Sequence, residues 1–258
     1  MKSYPNPFSL EGKVSFVTGG SRGLGLGMAR ALTAAGSDLV IMSRTQSELE
    51  EAKRVITEET GREVAIFTGD ISSLEDIDRV FSEAIKVFPG IDILLNNAGV
   101  NCRKPFLEIS PEEFDGVVDV NFRGMYFITQ RIARHMVDRG QGGKIINISS
   151  ITSIQGLANI SVYGGTKGAV YAITKSLAIE LAPHNIQANA IAPGYFRTSF
   201  TEAAFQVPER AEWIHSRIPM GRTGNPEDLG GLAVFLASPA SDYLTGTVVF
   251  ADGGWTSG

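Results

Sequence analysis

In Ser161-Val162-Tyr163-Gly164-Gly165-Thr166-Lys167 a phenol and an ammonium stand four residues apart. On a helix, positions i and i+4 share one face. An ammonium beside a phenol favours the phenolate by charge. Bringing a phenol from about 10 to about 7 takes about 4 kcal/mol of extra phenolate stabilisation. One lysine in a partly desolvated site, with a cationic cofactor ring, could supply much of that. A tyrosine so tuned gives a proton to a carbonyl oxygen or takes one from an alcohol. The same spacing also fits a half-buried helix tyrosine beside a solvated lysine, and the pair alone favours that plainer reading until the motifs around it are counted. Just upstream, an apolar run ends in Ser149-Ser150.

A second motif is glycine-rich. Thr18-Gly19-Gly20-Ser21-Arg22-Gly23-Leu24-Gly25 joins a β run at 13–18 to helical periodicity over 25–35. Glycines there allow positive φ and close backbone approach, and the free N–H groups of a helix start attract phosphate. The spacing G-x-x-x-G-x-G differs from the G-x-G-x-x-G dinucleotide fingerprint. An ordinary tight turn would read similarly, but its place after the first strand favours a pyrophosphate site.

Further β runs are expected at 39–42, 64–68, 91–95, 144–148, 186–191 and 247–250. Helical patterns fall at 46–59, 74–88, 111–139 (as one or two helices) and 163–181. The strands are continuous Val/Ile/Leu runs, the pattern of a sheet covered on both faces. Alternation of strand and helix predicts an α/β fold: one Rossmann-type domain over 1–258, a doubly wound, parallel, seven-stranded sheet with helices on both faces. The chain has 258 residues, 43% of them hydrophobic, enough for one large core.

Composition narrows the partners. The net charge is −5 and no dense basic block exists, so nucleic acid finds no footing. No apolar stretch reaches membrane-spanning length. The one cysteine, Cys102, excludes an internal disulfide and fits a reducing compartment. Residues 1–13 lack the apolar centre of a signal peptide. A soluble, cytoplasmic protein is expected. His135, His184 and His215 show no metal-ligand spacing, so no metal is expected. His215 could reach a pocket from the 195–220 segment.

Taken in order, these motifs resemble the short-chain dehydrogenase/reductase family over nearly the whole chain. The resemblance rests on the 18–25 turn, Asp70-Ile71, Asn96-Asn97-Ala98-Gly99, Asn121, Ser150, Tyr163 with Lys167, and Pro193-Gly194 with Thr198. It implies hydride transfer between a nicotinamide and a substrate carbon. Tyr163 would be the general acid in reduction and the base in oxidation. Ser150, thirteen residues before Tyr163 as in the family, would hold the carbonyl oxygen. Lys167 would bond the nicotinamide ribose and lower the tyrosine pKa, and Asn121 would hold a water linking Lys167 to solvent. The cofactor would touch Gly19, Ser21, Arg22, Gly23, Leu24 and Gly25 in the turn. Asp70 and Ile71 would flank its adenine. Asn97, Ala98 and Gly99 would line a ribose and fix the sheet end. Pro193, Gly194, Phe196 and Thr198 would meet the nicotinamide end.

An acid at the end of the second strand would bind a ribose 2′-OH and repel a 2′-phosphate. Ser43 stands where NAD-preferring relatives carry Asp, followed by Arg44. With Arg22 these make a phosphate clamp, since guanidinium bonds phosphate as a fork. NADP(H) is the expected cofactor and NAD(H) the alternative. Both arginines would read equally as solvated surface residues.

On the substrate side, 195–220 carries Tyr195, Phe196, Phe200, Phe205 and Trp213. In the family this segment is a lid; its aromatics would also suit the core of a helical hairpin. Arg103 lies at an offset that carries Arg in gluconate 5-dehydrogenase-like and 2-deoxygluconate 3-dehydrogenase-like members, where it could hold a substrate carboxylate. A surface arginine on a loop reads equally well. The expected substrate is therefore a sugar acid, polyol or similar small carbonyl compound. An alternative is a 3-oxoacyl-carrier-protein reductase, which docks an acidic carrier through arginines. Arg134 could serve, but Ile179 stands where the second arginine belongs. A non-catalytic dinucleotide sensor has no need of the set Asn121, Ser150, Tyr163 and Lys167. The small residues Gly164, Gly165, Gly168, Ala169 and Ala172 on the tyrosine helix allow the close pairing by which relatives form homotetramers.

Overall fold

Every expected β run becomes a strand of one sheet. In a computed structural model, which describes residues 6–258 (side chains of Ala203 and Ala204 excepted), the strands are β1 Val14–Thr18, β2 Asp38–Ser43, β3 Val64–Thr68, β4 Ile93–Asn96, β5 Gly143–Ile148, β6 Ile186–Pro193 and β7 Val248–Ala251. Their order is β3-β2-β1-β4-β5-β6-β7, and every pairing is parallel. The chain builds outward from β1 in one direction, then returns to build outward from β4 in the other. That reversal opens a crevice beyond the C-terminal ends of β1 and β4, the usual ligand position in such sheets.

Successive strand residues point to opposite faces, and here both faces are dry. Val17, Ile41 and Leu95 join one core with Met28 and Leu32, while Phe16, Val40 and Leu94 join the other with Ile77 and Ile132. The first core is covered by α1 (Gly23–Ala34), α2 (Gln46–Thr60) and α9 (Gly230–Ala237). The second lies under α3 (Leu74–Val87) and α5 (Met125–Arg139), with α6 (Ser161–Leu181) alongside. The sequence gives no sign of α9. Its run GGLAVFLA opens with two glycines and is apolar all round, so no amphipathic stripe exists to read. It packs on the first core through Ala233, Leu236 and Ala237. Gly230 lets it close on α1, since a Cβ there would come 2.8 Å from the Ala31 methyl.

The 111–139 segment is continuous but not uniform. α4 (Pro111–Val118) starts with a capping box, Ser110 with Glu113, and Pro111 in the first turn. It passes directly into a π-helical stretch, Asp119–Gly124, and then into α5. The wide turn takes in an extra residue and sets Asn121 facing inward. Gly124 is required there, because a Cβ would collide with the Ile71 carbonyl oxygen.

α7 (Glu202–Phe205) and α8 (Pro208–Ser216) lie over the C-terminal end of the sheet. A third apolar cluster of Ile151, Ile214, Ile218 and Trp255, with Tyr195 and Phe205, holds them there. The Trp255 ring centroid is 5.0 Å from that of Tyr195 and 5.4 Å from that of Trp213. The aromatics of 195–220 are thus partly core. Among the described residues no helix is long and apolar enough to cross a membrane.

Candidate active site

α6 carries Tyr163 and Lys167 on one face, as the spacing requires. Lys167 Nζ lies 5.6 Å from the Tyr163 ring centroid and donates to the Ile148 carbonyl at 2.7 Å. The expected lowering of the phenol is reversed. Burial pushes Tyr163 up to about 12, and a hydrogen bond with Ser150 opposes this only in part. Burial also brings Lys167 down to about 8. The reason is geometric: the ammonium sits over the ring and on a carbonyl oxygen. Desolvation of each charge therefore outweighs what the protein's own groups return.

The two serines differ in their hydrogen bonds. Ser149 Oγ donates to the Lys167 carbonyl at 3.1 Å, tying the end of β5 to α6. Ser150 Oγ accepts from Thr152 N at 3.2 Å, which leaves its own O–H free to point at Tyr163. Asn121 is no surface amide. It is 1% exposed. Its Oδ1 accepts from Val100 N at 2.7 Å, and its Nδ2 donates to Val100 O at 2.8 Å and to Thr166 Oγ1 at 3.2 Å. Thr166 in turn donates to the Tyr163 carbonyl at 2.8 Å. The amide is a strut between the loop after β4 and the first turns of α6, and it does not line the cleft.

A cleft of about 350 Å³ runs along the strand ends. Its walls include Gly19, Ser21, Arg22, Gly23 and Leu24, then Ser43 and Arg44, Asp70 and Ile71, and Asn97, Ala98 and Gly99. At the inner end stand Ser150, Tyr163 and Lys167, with Pro193, Gly194, Phe196 and Thr198 opposite. Gly25 and Arg103 lie off this wall. Gly25 is a packing glycine: a Cβ there would strike the Gly19 carbonyl and crowd the Asn97 amide. Asn97 itself is spent on structure, its Nδ2 donating to Thr18 O at 3.2 Å and Gly19 O at 2.8 Å. Thr18 Oγ1 accepts from both Asn97 N and Ala98 N at 3.1 Å. These bonds weld the glycine turn to the end of β4. The sequence carries no mark that singles out Thr18.

The start of α1 suits a phosphate. Arg22 is extended (φ −157°, ψ 173°), no side chain caps the helix, and no acid lies in its first turn. Four N–H groups at a helix start need outside partners. Gly19 (φ +64°) and Gly23 (φ +56°) adopt left-handed turns, and a Cβ on Gly19 would lie 2.9 Å from Ala98 Cα.

The clamp region holds one acid that the sequence reading missed. Ser21 Oγ and Ser43 Oγ are 3.0 Å apart, and Ser21 donates to Glu48 Oε2 at 3.2 Å. Arg22 pairs with Glu48 Oε1 at 3.1 Å. Arg44 is exposed at the rim. Thr45-Gln46-Ser47-Glu48 spells a capping box, which would account for the acid, but Thr45 makes no side-chain cap and Glu48 turns to the cleft instead.

Above the inner end, the Phe200 ring lies 6.1 Å from that of Tyr163 and lines the cleft. Cys102 is a half-buried free thiol. His215 is exposed and stacks on Phe205 at 6.1 Å, away from the cleft wall. Arg103 lies near Tyr195 and Arg210, and partial burial together with the Arg210 charge lowers its pKa.

A family model described as enoyl-(acyl carrier protein) reductase matches residues 19–256. The chain is 43% identical over 252 residues to a 2-dehydro-3-deoxy-D-gluconate 5-dehydrogenase of Dickeya dadantii, covering 97% of this chain and 98% of that one. It is 38% identical over 247 residues to a 5-keto-D-gluconate 5-reductase of Escherichia coli, covering 96% of each. A crystal structure of a gluconate 5-dehydrogenase from Burkholderia cenocepacia, in complex with NADP and tartrate, superposes with a TM-score of 0.93 at 38% identity, covering 98% of each chain. The chain belongs to the short-chain dehydrogenase/reductase family, as a nicotinamide-dependent oxidoreductase of hydroxyl and carbonyl groups.

Proposed function

We propose that the protein interconverts a secondary alcohol and a ketone on a sugar acid, with NADP(H) as preferred cofactor and Tyr163 as general acid and base. The observation that carries this reading is the Ser150, Tyr163 and Lys167 group at the inner end of the cleft along the strand ends. A bound nicotinamide supplies the hydride in reduction and accepts it in oxidation. In reduction Tyr163 gives its proton to the substrate oxygen while the Ser150 hydroxyl donates a hydrogen bond to the charge developing there. Lys167, charged below about pH 8, stabilises the phenolate that results. Oxidation runs the same proton backward. Asn121 is a positioning residue that fixes the α6 turn through Thr166.

Ser43, Arg22 and Arg44 support NADP(H), as does the NADP in the Burkholderia structure. The sugar-acid substrate is supported by the names of the relatives and by Arg103 near the substrate side. The carrier-protein alternative is disfavoured by Ile179, an apolar side chain 78% exposed where a docking arginine would stand. We further take the enzyme to be a cytoplasmic homotetramer with a lid at about 195–220. The exposed apolar side chains Phe106, Leu107, Phe114 and Tyr126, on or near α4 and α5, support the assembly.

The test follows NADPH and NADH absorbance against 5-ketogluconate, an uncharged sugar ketone and a 3-oxoacyl thioester. Fast NADPH oxidation with 5-ketogluconate is expected. Tyr163→Phe should keep cofactor binding and lose about 10²–10⁴-fold in turnover. Near-normal turnover in that variant defeats the mechanism, and activity confined to the thioester defeats the substrate class.

A further inference from the structure

The 195–220 segment brings three arginines over the substrate side, and two are occupied. Arg197 pairs with Glu202 at 3.5 Å and lies 5.4 Å from the Phe205 ring. Arg217 is wedged between Trp213 at 5.5 Å and Trp255 at 5.1 Å. Arg210, in the first turn of α8, differs. Its Nε is sealed from solvent and has no hydrogen-bond partner among the described residues. A buried guanidinium N–H without an acceptor is costly and uncommon.

Its neighbour is another arginine. Arg103, in the loop after β4, lies off the cleft wall and feels the Arg210 charge. Among the described residues neither arginine has an acid partner, although carboxylates satisfy Lys104 next door and Arg222 beyond the lid. Like charges held together repel, and an anion between them would relieve both. The loop that bears Arg103 is tied to the approach to Tyr163, since Lys104 N donates to Asn159 O at 2.9 Å. Two other orphaned polar atoms lie on flanking segments: Asn101 Oδ1, two residues before Arg103, and Thr152 Oγ1, two after Ser150.

We infer that Arg210 is a specificity-determining residue, which with Arg103 grips the substrate carboxylate from both sides and so draws α8 down over the cleft. This rests on the sugar-acid reading and adds the residue that couples substrate charge to the position of the 195–220 segment. A charged fork is lost when Arg210 is truncated, whereas a neutral substrate never used it.

The experiment compares 5-ketogluconate with its neutral amide in the wild type, Arg210→Ala and Arg210→Lys. Arg210→Ala should raise KM for the acid by about 10–100-fold, with the amide unchanged. Arg210→Lys, which keeps charge but not the fork, should recover part of the loss. The two tryptophans, Trp213 and Trp255, both sit in the lid cluster, so intrinsic fluorescence reads it directly. Gluconate should give a saturable change in the wild type, with its midpoint shifted in Arg210→Ala by the same factor as KM. If the wild type reduces 5-ketogluconate and Arg210→Ala matches it within about twofold, the inference fails and the proposed function stands. Equal losses on acid and amide also overturn it, as a packing effect. If the wild type reduces neutral ketones and no sugar acid, the proposed function fails and takes the inference with it.

Discussion

Replacing Glu48 with Gln should strengthen NADPH binding by about 30-fold and leave NADH nearly untouched. The figure comes from two contributions, each of which the Glu48 carboxylate sets against a 2′-phosphate. The first is the Arg22–Glu48 pair at 3.1 Å, which Arg22 must leave to reach the phosphate. The partners are 64% and 33% exposed, so the pair is worth about 0.5 kcal/mol, far less than a buried one. The second is direct repulsion. At a separation of about 6 Å, any carboxylate and a phosphate of charge about −2 repel by about 1.4 kcal/mol in water. The sum is about 2 kcal/mol, or about 30-fold in Kd. Gln keeps the shape and can still accept from Ser21, so packing changes little. Kd values for NADPH and NADH, from the fluorescence of the bound reduced nicotinamide, decide the matter. Salt should shrink the difference between the variants, because both contributions are exposed. Equal tightening of NADH would refute the reasoning, since NADH has nothing to repel. Weaker NADPH binding would show that Glu48 aims Arg22 instead of competing for it.

Other consequences are as concrete. The Lys167 ammonium titrates at about 8 when folded, against 10.5 for a free side chain. From about pH 8 to 10.5 the unfolded chain therefore holds a proton that the folded chain has lost, and stability gains from rising pH in that window. Tyr163 acts oppositely above pH 10, where the folded chain keeps a proton up to about 12 that the unfolded chain has shed. Thermal melts of the wild type and Lys167→Met should diverge between pH 8 and 10; parallel curves would contradict the buried, uncharged lysine. Gly124→Ala should destabilise by about 1–3 kcal/mol or more, because the new Cβ meets the Ile71 carbonyl and backbone cannot yield cheaply. A denaturant midpoint equal to wild type would mean that the π-helical stretch relaxes without cost. Arg22→Ala with Arg44→Ala should weaken NADPH far more than NADH, and equal weakening would dissolve the clamp.

Strands and the tyrosine helix were legible because their signals are local. A run such as Val40-Ile41-Met42 is buried on both faces whichever way it turns, so its register need not be known. The Tyr163 and Lys167 pair shows itself by spacing, and Ser150 is singled out from Ser149 by the family resemblance. What stayed hidden depends on partners far along the chain. The resemblance picks out Asn121, but as the holder of a water; that the extra residue in the turn swings it inward onto Val100 leaves no local mark. Glu48 reads as a cap and is instead drawn across to Ser21 and Arg22. The direction of the Tyr163 shift could not be seen, because charge proximity is written in the spacing and desolvation is not. Arg210 escaped notice for a related reason: nothing local distinguishes it from Arg197 or Arg217.

The π-helical stretch at Asp119–Gly124 has a consequence for how this chain tolerates change in length. An α-helix advances about 100° per residue. Because the wide turn absorbs one extra residue, deleting one there would restore regular hydrogen bonding and leave the flanking helices in phase. Ile128, Ile132 and Met136 would stay in the core, and the loss would fall on Asn121, which would leave Val100. The extra residue is thus kept for what it positions and not for the packing of the helices on either side. A one-residue deletion in this stretch should fold and yet slacken the loop after β4, whereas a change of length at the Gly140 turn after α5, where a left-handed glycine has open space around it, should touch neither.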